Sequence, residues 1–272
     1  MLRSPRCSSW LTKRIKLVVA YDGTEFCGWA AQKDQRTVHG TLREAVRQVS
    51  GEDCEIVGAS RTDSGAHARG QVCHLDSSVD IPPERWTRIL NRVLPLDMSV
   101  VSSRQVPEKF HSRFCAQSRY YRYRISSDRE PFKLRFAHWY GKPLNVSLMH
   151  ETAQSLVGEH DFRGYSEELD LTANAVRELF SIQVRNVRKE VWIDIVGTAF
   201  VRGMMRRISG ALLEVGRGHR DPHELAMLLN PKQRDDVQWP VVLPARGLTL
   251  QSISYGRNLV DVRDLDASGE DE

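Results

Sequence analysis

Apolar positions along this chain switch repeatedly between a period of two and a period near 3.6. The run "RIKLVVAYDG" (14–23) reads as a strand that ends in a turn. In "TVHGTLREAVRQVSG" (37–51), Val38, Leu42, Ala45, Val46 and Val49 recur at helical spacing, and Gly51 stands where a C-terminal cap belongs. "CEIVGAS" and "GQVCHLDSS" then predict two strands on either side of "SRTDSGAHARGQ" (60–71). "PPERWTRILNRVLP" places Trp86, Ile89, Leu90 and Val93 on one helical face, and "MSVVSSRQV" is a further strand. The order β-α-β-β-α-β is the ferredoxin-like pattern.

The second half repeats it. "RYYRYRISS" predicts a strand, "SLMHETAQSLVG" (147–158) a helix, and "ELFSIQVRNV" with "EVWIDIVG" a hairpin. "FVRGMMRRISGALLEVGRG" (200–218) predicts one long helix, and "TLQSISY" (249–255) a closing strand. On that helix Phe200, Met204, Ile208, Ala211 and Leu212 form a core stripe, while Arg202 and Arg206, four apart, share another face. In "DPHELAMLLN", Asp221 is read as an N-cap and Glu224 as its capping-box partner. The expected fold class is therefore α+β: two ferredoxin-like (RRM-like) halves, 14–112 and 113–258, with an active-site cleft between them. An N-terminal extension (1–13) and an acidic tail (259–272) flank them.

Charge changes this picture. The formal net charge is +4, but the last twelve residues hold six acids and one arginine, so residues 1–260 carry 38 basic against 29 acidic side chains. Residues 104–135 contain nine Lys/Arg and three Asp/Glu, and within them "RYYRYRI" interleaves arginine with tyrosine, a composition suited to phosphates and stacked bases. The cleft is expected to be basic. No apolar run approaches the ~20 residues needed to span a bilayer. Five scattered cysteines without a CxxC suggest neither a zinc site nor a disulfide framework. These features read as a cytoplasmic protein with no membrane partner.

The candidate chemistry lies in "SRTDSGAHARGQ". Asp63 is the one carboxylate there, and Arg61 and Arg69 on either side would favour its ionised form. Gly65 permits a tight turn. Asp-Ser-Gly is equally good turn chemistry, so a structural role stays open at this point. Of the nearby histidines, only His67 sits close enough to Asp63 to invite a chemical role.

Six ordered stretches carry a more specific signal: "YDGTEFCGW", "TVHGTLREAV", "SRTDSGAHARGQV", "FHSRFCAQSRYYRYRI", "GEHDFRGYS" and "FVRGMMRRISGALLEVGRG". With them the chain resembles the TruA-type tRNA pseudouridine synthase family from about residue 14 to 255. The resemblance implies that Asp63 is the catalytic aspartate, Tyr121 the tyrosine that packs on the target base, and Arg206 the arginine that pairs with the aspartate. It implies that Arg61 contacts the RNA and helps displace the target nucleotide. It further implies a tRNA partner, a homodimer, and uridines 38, 39 and 40 of the anticodon stem-loop as targets. Isomerising uridine transfers no outside group and leaves the redox state unchanged, so no cofactor and no metal are expected. Ser60, Ala66, His39 and "AAQ" after Trp29 depart from the family pattern, and none is expected to touch Asp63, Tyr121 or Arg206. Two other readings are a catalytically silent RNA-binding protein on the same scaffold and an aspartate-nucleophile hydrolase or phosphotransferase. The latter would want further carboxylates near Asp63, and "RTDSGAHA" has none.

Overall fold

A computed structural model of the chain describes residues 12–167 and 174–256. The expected tail and all but two residues of the expected extension lie outside the described residues. The first half runs β1 (Lys13–Tyr21), α1 (Val38–Ser50), β2 (Val57–Gly58), β3 (His67–Ser77), α2 (Arg85–Leu90) and β4 (Met98–Val106). The second runs β5 (Ser118–Ser126), α3 (Pro131–Leu134), β6 (His138–Trp139), α4 (Val146–Ala153), β7 (Gly158–Asp161), β8 (Val176–Val187), β9 (Glu190–Gly197), α5 (Met204–Gly216), α6 (His223–Met227) and β10 (Leu248–Ser254).

All ten strands form one sheet with the central order β4-β1-β3-β10-β5-β9-β8-β7. Within it the order β4-β1-β3-β2 of the first half returns as β10-β5-β9-β8 in the second. The ferredoxin-like pattern is thus present twice, joined edge to edge. The junction exists because β2 is only two residues long. It pairs with the Cys73–His74 part of β3 and leaves the other end of that strand free for β10, parallel at Thr249↔His67 and Leu250↔Ala68. Gly70 makes the approach possible, since a Cβ there would lie 2.5 Å from the Gln251 carbonyl oxygen.

Residues directly opposite on paired strands share a face. The row Tyr21, Ala68, Leu250, Tyr121, Ile195, Ile182 therefore crosses the whole junction on one side. Each member is at most 4% exposed, and all belong to one core cluster that also takes Leu42 of α1, Trp86 of α2, Met149 of α4 and Ile208 of α5. One core serves both halves.

Several expectations change. Residues 200–218 are not one helix: α5 starts at Met204, behind Gly203 with φ +73°, so Phe200 and Arg202 precede it. Arg206 is thus not paired with Arg202 along a helix face. Asp221 does accept from the His223 amide at 2.9 Å, but Glu224 bonds Arg220 at 2.7 Å rather than completing a capping box. The basic run of β5 divides between the two faces. Arg119 is buried and donates to the carbonyls of Ala116, Thr198, Ala59 and Arg113. Arg122 pairs with Asp194 at 2.6 Å and Arg124 with Glu190 at 2.7 Å, on the face away from Tyr121. These arginines are matched within the protein, so the phosphate-binding charge has to come from elsewhere.

Asp194 is fully buried and accepts from Tyr120, Arg122 and Arg185. Its removal takes a shared acceptor from three donors at once. Asp194→Ala should cost about 2–3 kcal/mol in chemical denaturation, the lower part of the range for a broken buried pair because Arg185 reaches solvent. Asp53→Ala, which breaks only an exposed pair with Arg43, should leave the midpoint in place. Equal effects from the two would remove the Asp194 network from the account of β5.

Candidate active site

Because β2 stops at Gly58 and β3 starts at His67, the chain between them leaves the sheet beside the junction. Residues of "YDGTEFCGW" pin it there. The Trp29 amide donates to the Thr62 carbonyl at 3.1 Å, Tyr21 Oη and Thr62 Oγ1 lie 2.8 Å apart, and the Gly65 amide donates to the Phe26 carbonyl at 3.2 Å. The Ala66 amide closes a turn onto the Asp63 carbonyl at 3.1 Å, with Gly65 at φ +80°. Gln71, reaching up from β3, grips Ser60 with both amide atoms, at 3.3 Å to its N–H and 2.6 Å to its carbonyl. The backbone around Asp63 is fixed from three directions, and its side chain remains 25% exposed.

Arg206 meets it from the other half. Its Nε donates to the Leu243 carbonyl at 2.6 Å, and its Nη1 lies 3.2 Å from Asp63 Oδ2 and 3.3 Å from Glu167 Oε1. The arginine occupies the first turn of α5, whose N-terminus has no side-chain cap. A cation there opposes the helix dipole. Two carboxylates offset that, which marks the position as one set by charge pairing rather than by helix stability.

Tyr121 forms the floor. It is 4% exposed, its hydroxyl lies 2.7 Å from Ser60 Oγ, and its ring meets Phe200 edge-on with centroids 4.9 Å apart. Burial pushes its phenol up to about 12, against the pull of the Ser60 hydrogen bond. At neutral pH it is an un-ionised ring with a hydrogen-bonding hydroxyl. Tyr123 lies on the same face and Tyr120 on the other, as the strand alternation predicts.

Asp63, Tyr121 and Arg206 therefore come together, from three separate elements. Arg61 stands exposed beside them with no partner among the described residues. Neither Arg61 nor Arg69 pairs with Asp63; that charge is supplied by Arg206. Arg69 lines a cavity of about 470 Å³ on the opposite sheet face with Arg122, Arg124 and Trp192. Asp63, Tyr121 and Arg206 do not line this cavity. His67 is also committed elsewhere: its Nδ1 accepts from the Gly23 amide at 3.0 Å and its Nε2 meets the Arg246 carbonyl at 3.2 Å. Burial holds it below the ordinary histidine value. Ser60 corrects an expectation, since this departure from the family pattern bonds Tyr121 directly. Glu167 and Phe200 were missed as site residues. The hints were positional: Glu167 immediately follows "GEHDFRGYS", and Phe200 opens "FVRGMMRRISGALLEVGRG", where its spacing reads as core.

Beside its junction the doubled α+β sheet carries a part-exposed carboxylate–arginine pair over a buried tyrosine, and the chain's relatives define the class, the RNA-modifying isomerases called pseudouridine synthases. The family model described as tRNA pseudouridine synthase matches residues 17–115 and 152–256, and the chain belongs to that family. The tRNA pseudouridine synthase A of Brevibacillus brevis is 39% identical over 245 residues, 89% of this chain and 100% of its own length. The proteins of the same name from Latilactobacillus sakei and Clostridium acetobutylicum are 35% and 34% identical over 90% and 89% of this chain, each across its entire length. The chain is a tRNA-modifying isomerase that forms pseudouridine. Among the described residues no helix is long and apolar enough to cross a membrane.

The Ser60–Tyr121 bond gives a direct test of the floor. Gln71 holds the Ser60 backbone independently of its side chain, so Ser60→Ala should keep the fold while leaving the buried phenol unpaired. A loss of about 1 kcal/mol in denaturant unfolding is expected. An Ala variant of full stability would show that the phenol finds another partner.

Proposed function

We propose that Asp63 is the nucleophile of the isomerisation and that the targets are uridines 38, 39 and 40 of the anticodon stem-loop, as the resemblance to the TruA-type family implies. The observation that carries this is the Asp63–Arg206 pair at 3.2 Å, with the carboxylate projecting from a loop held rigid on both sides. The charge-assisted bond orients the carboxylate.

In the reaction the N1–C1′ bond breaks, the uracil turns within the pocket, and C5 bonds to C1′. The proton on C5 is then lost and N1 gains one, so atoms and electrons balance without an outside reagent. An ionised carboxylate has two electrophilic carbons to attack, C6 of the base and C1′ of the ribose; either way the covalent bond is to Asp63. Tyr121 supports the freed base with its ring. With its phenol pushed up to about 12 by burial, the hydroxyl is un-ionised at neutral pH, and the C5 proton leaves to solvent or to Asp63. A base inside a stem has to be flipped out first, at a few kcal/mol. Arg61, exposed and without a partner among the described residues, would contact the RNA and help displace the target nucleotide, as the family resemblance implies.

In this reading the halves 14–112 and 113–258 supply opposite walls of the cleft, and a homodimer in the cytoplasm grips one tRNA. Light scattering of the protein with and without tRNA tests the dimer.

Asp63→Asn keeps shape and removes charge. Turnover should vanish while tRNA affinity stays within roughly tenfold, because the phosphate contacts that dominate affinity remain. Substantial isomerisation by the Asn variant would overturn the nucleophile assignment. Mapping pseudouridine in tRNA from cells with and without the protein should show losses at 38, 39 and 40; losses confined to other positions would sink the site assignment alone.

Tyr121→Phe should preserve tRNA affinity, because the ring still stacks, and any rate loss then reports the hydroxyl. Tyr121→Ala should lose both affinity and rate, with the stacking part worth roughly 1–3 kcal/mol. Tyr120→Phe, on the far face, should leave single-turnover rates alone. A crippled Tyr120→Phe beside a normal Tyr121→Ala would put the wrong face of β5 in the site.

A further inference from the structure

We infer that His111 and Phe114 form a stacking platform for an unpaired nucleobase of the tRNA near the target uridine, outside the pocket that holds the uracil. The inference rests on Asp63 marking the reaction centre, as proposed above.

Phe114 is 78% exposed, so most of its ring faces solvent. It is also well ordered by its contacts. Its inner face stacks on His111, with centroids 4.3 Å apart and planes 29° apart. His111 Nδ1 accepts from the amides of both Arg113 and Phe114 at 3.2 Å, and the Cys115 amide donates to the His111 carbonyl at 2.9 Å. The two rings and the turn that bears them are one unit. Behind them, the buried His74 meets His111 edge-on at 5.1 Å. The outer face of Phe114 is left open while its orientation is already fixed, so little rotamer entropy remains to be lost on stacking.

The turn is tied to the site through Arg119. Its Nη2 donates to the Arg113 carbonyl at 3.0 Å and to the Ala59 carbonyl at 3.3 Å. Ala59 immediately precedes Ser60, which bonds Tyr121. One buried guanidinium therefore sets the platform against the strand that leads to Asp63.

The surrounding charge selects the occupant. The Arg113 guanidinium lies 5.9 Å from the Phe114 centroid, and Lys109, Arg113 and Arg61 are exposed. Between 108 and 117 the sole acid is Glu108. An exposed ring with a guanidinium 5.9 Å over it, in a stretch that also carries the exposed Lys109, suits a base and its phosphate, whereas a purely apolar protein surface would leave those cations desolvated.

The test is tRNA affinity and single-turnover rate for Phe114→Ala, Phe114→Leu, Phe114→Trp and Arg113→Ala in the full-length protein, with light scattering on each. Phe114→Ala should weaken tRNA binding roughly 5- to 100-fold. The loss should fall on affinity, with the rate at saturating tRNA reduced less than threefold. Phe114→Leu, which keeps apolar bulk without a π-face, should behave like Ala, and Phe114→Trp should bind at least as tightly as the parent. The slope of log K against log[salt] should be unchanged for Phe114→Ala and shallower by about 1 for Arg113→Ala. Full affinity in Phe114→Ala, or full rescue by Leu, overturns the platform. So does dissociation into monomers with per-subunit affinity intact, which would assign Phe114 to a subunit contact. These affinities do not depend on the chemistry at Asp63, so an active Asp63→Asn would defeat the nucleophile reading without touching this outcome.

Discussion

The pairing of β3 with β10 is the contact on which everything else rests. Only Thr249↔His67 and Leu250↔Ala68 are in register there, yet they fuse two four-stranded patterns into one sheet and merge two cores. Two conditions permit it. β2 ends early enough to free the edge of β3, and Gly70 lets the Gln251 backbone come close. The same truncation throws residues 59–66 out of the sheet next to the junction. An edge that is open for pairing and a loop that is free to carry Asp63 are thus one structural event. Fold and site share a cause.

Charge is sorted by strand alternation. On β5, residues 119, 121 and 123 face the helices and the site, while 120, 122 and 124 face the other way. The far face resolves its cations locally: Arg122 against Asp194, Arg124 against Glu190, and the Arg122 guanidinium 3.7 Å from the Trp192 ring centroid. On the site face, Arg119 is spent on backbone carbonyls, a role no lysine could fill, because only the planar fork reaches several acceptors at once. Arg61, by contrast, is exposed and has no ion-pair partner among the described residues.

Much of this was legible in the chain because periodicity reports burial well. The doubled β-α-β-β-α-β order, the helical stripe of α1 with its Gly51 cap and the opposed faces of Tyr120 and Tyr121 all followed from spacing. Burial is not pairing, however. "CEIVGAS" looks like a full strand because Cys54 and Ile56 are buried, but they pack into the core by side chain alone and only Val57–Gly58 enters the sheet. Phe200 and Met204 likewise have helical spacing, while Gly203 in the left-handed region separates them into a loop residue over Tyr121 and the first residue of α5. Position within a motif located Asp63, Tyr121 and Arg206. It did not locate Ser60 or Glu167, whose partners lie 61 and 39 positions away, because contacts of that range are set by tertiary placement rather than local pattern.

Glu167 makes the arginine's task more exacting than a simple ion pair. Nη1 of Arg206 serves both carboxylates, at 3.2 and 3.3 Å, and the Nε bond to Leu243 prevents the guanidinium from swinging fully toward either. Neither acid receives the two-pronged contact that makes arginine–carboxylate pairs strongest. Asp63 is therefore oriented by Arg206 without being locked by it, and its second oxygen stays available to the cleft. The rigid loop beneath Asp63 supplies the positional precision that a looser ion pair gives up. Here the backbone does the positioning and the arginine orients the carboxylate.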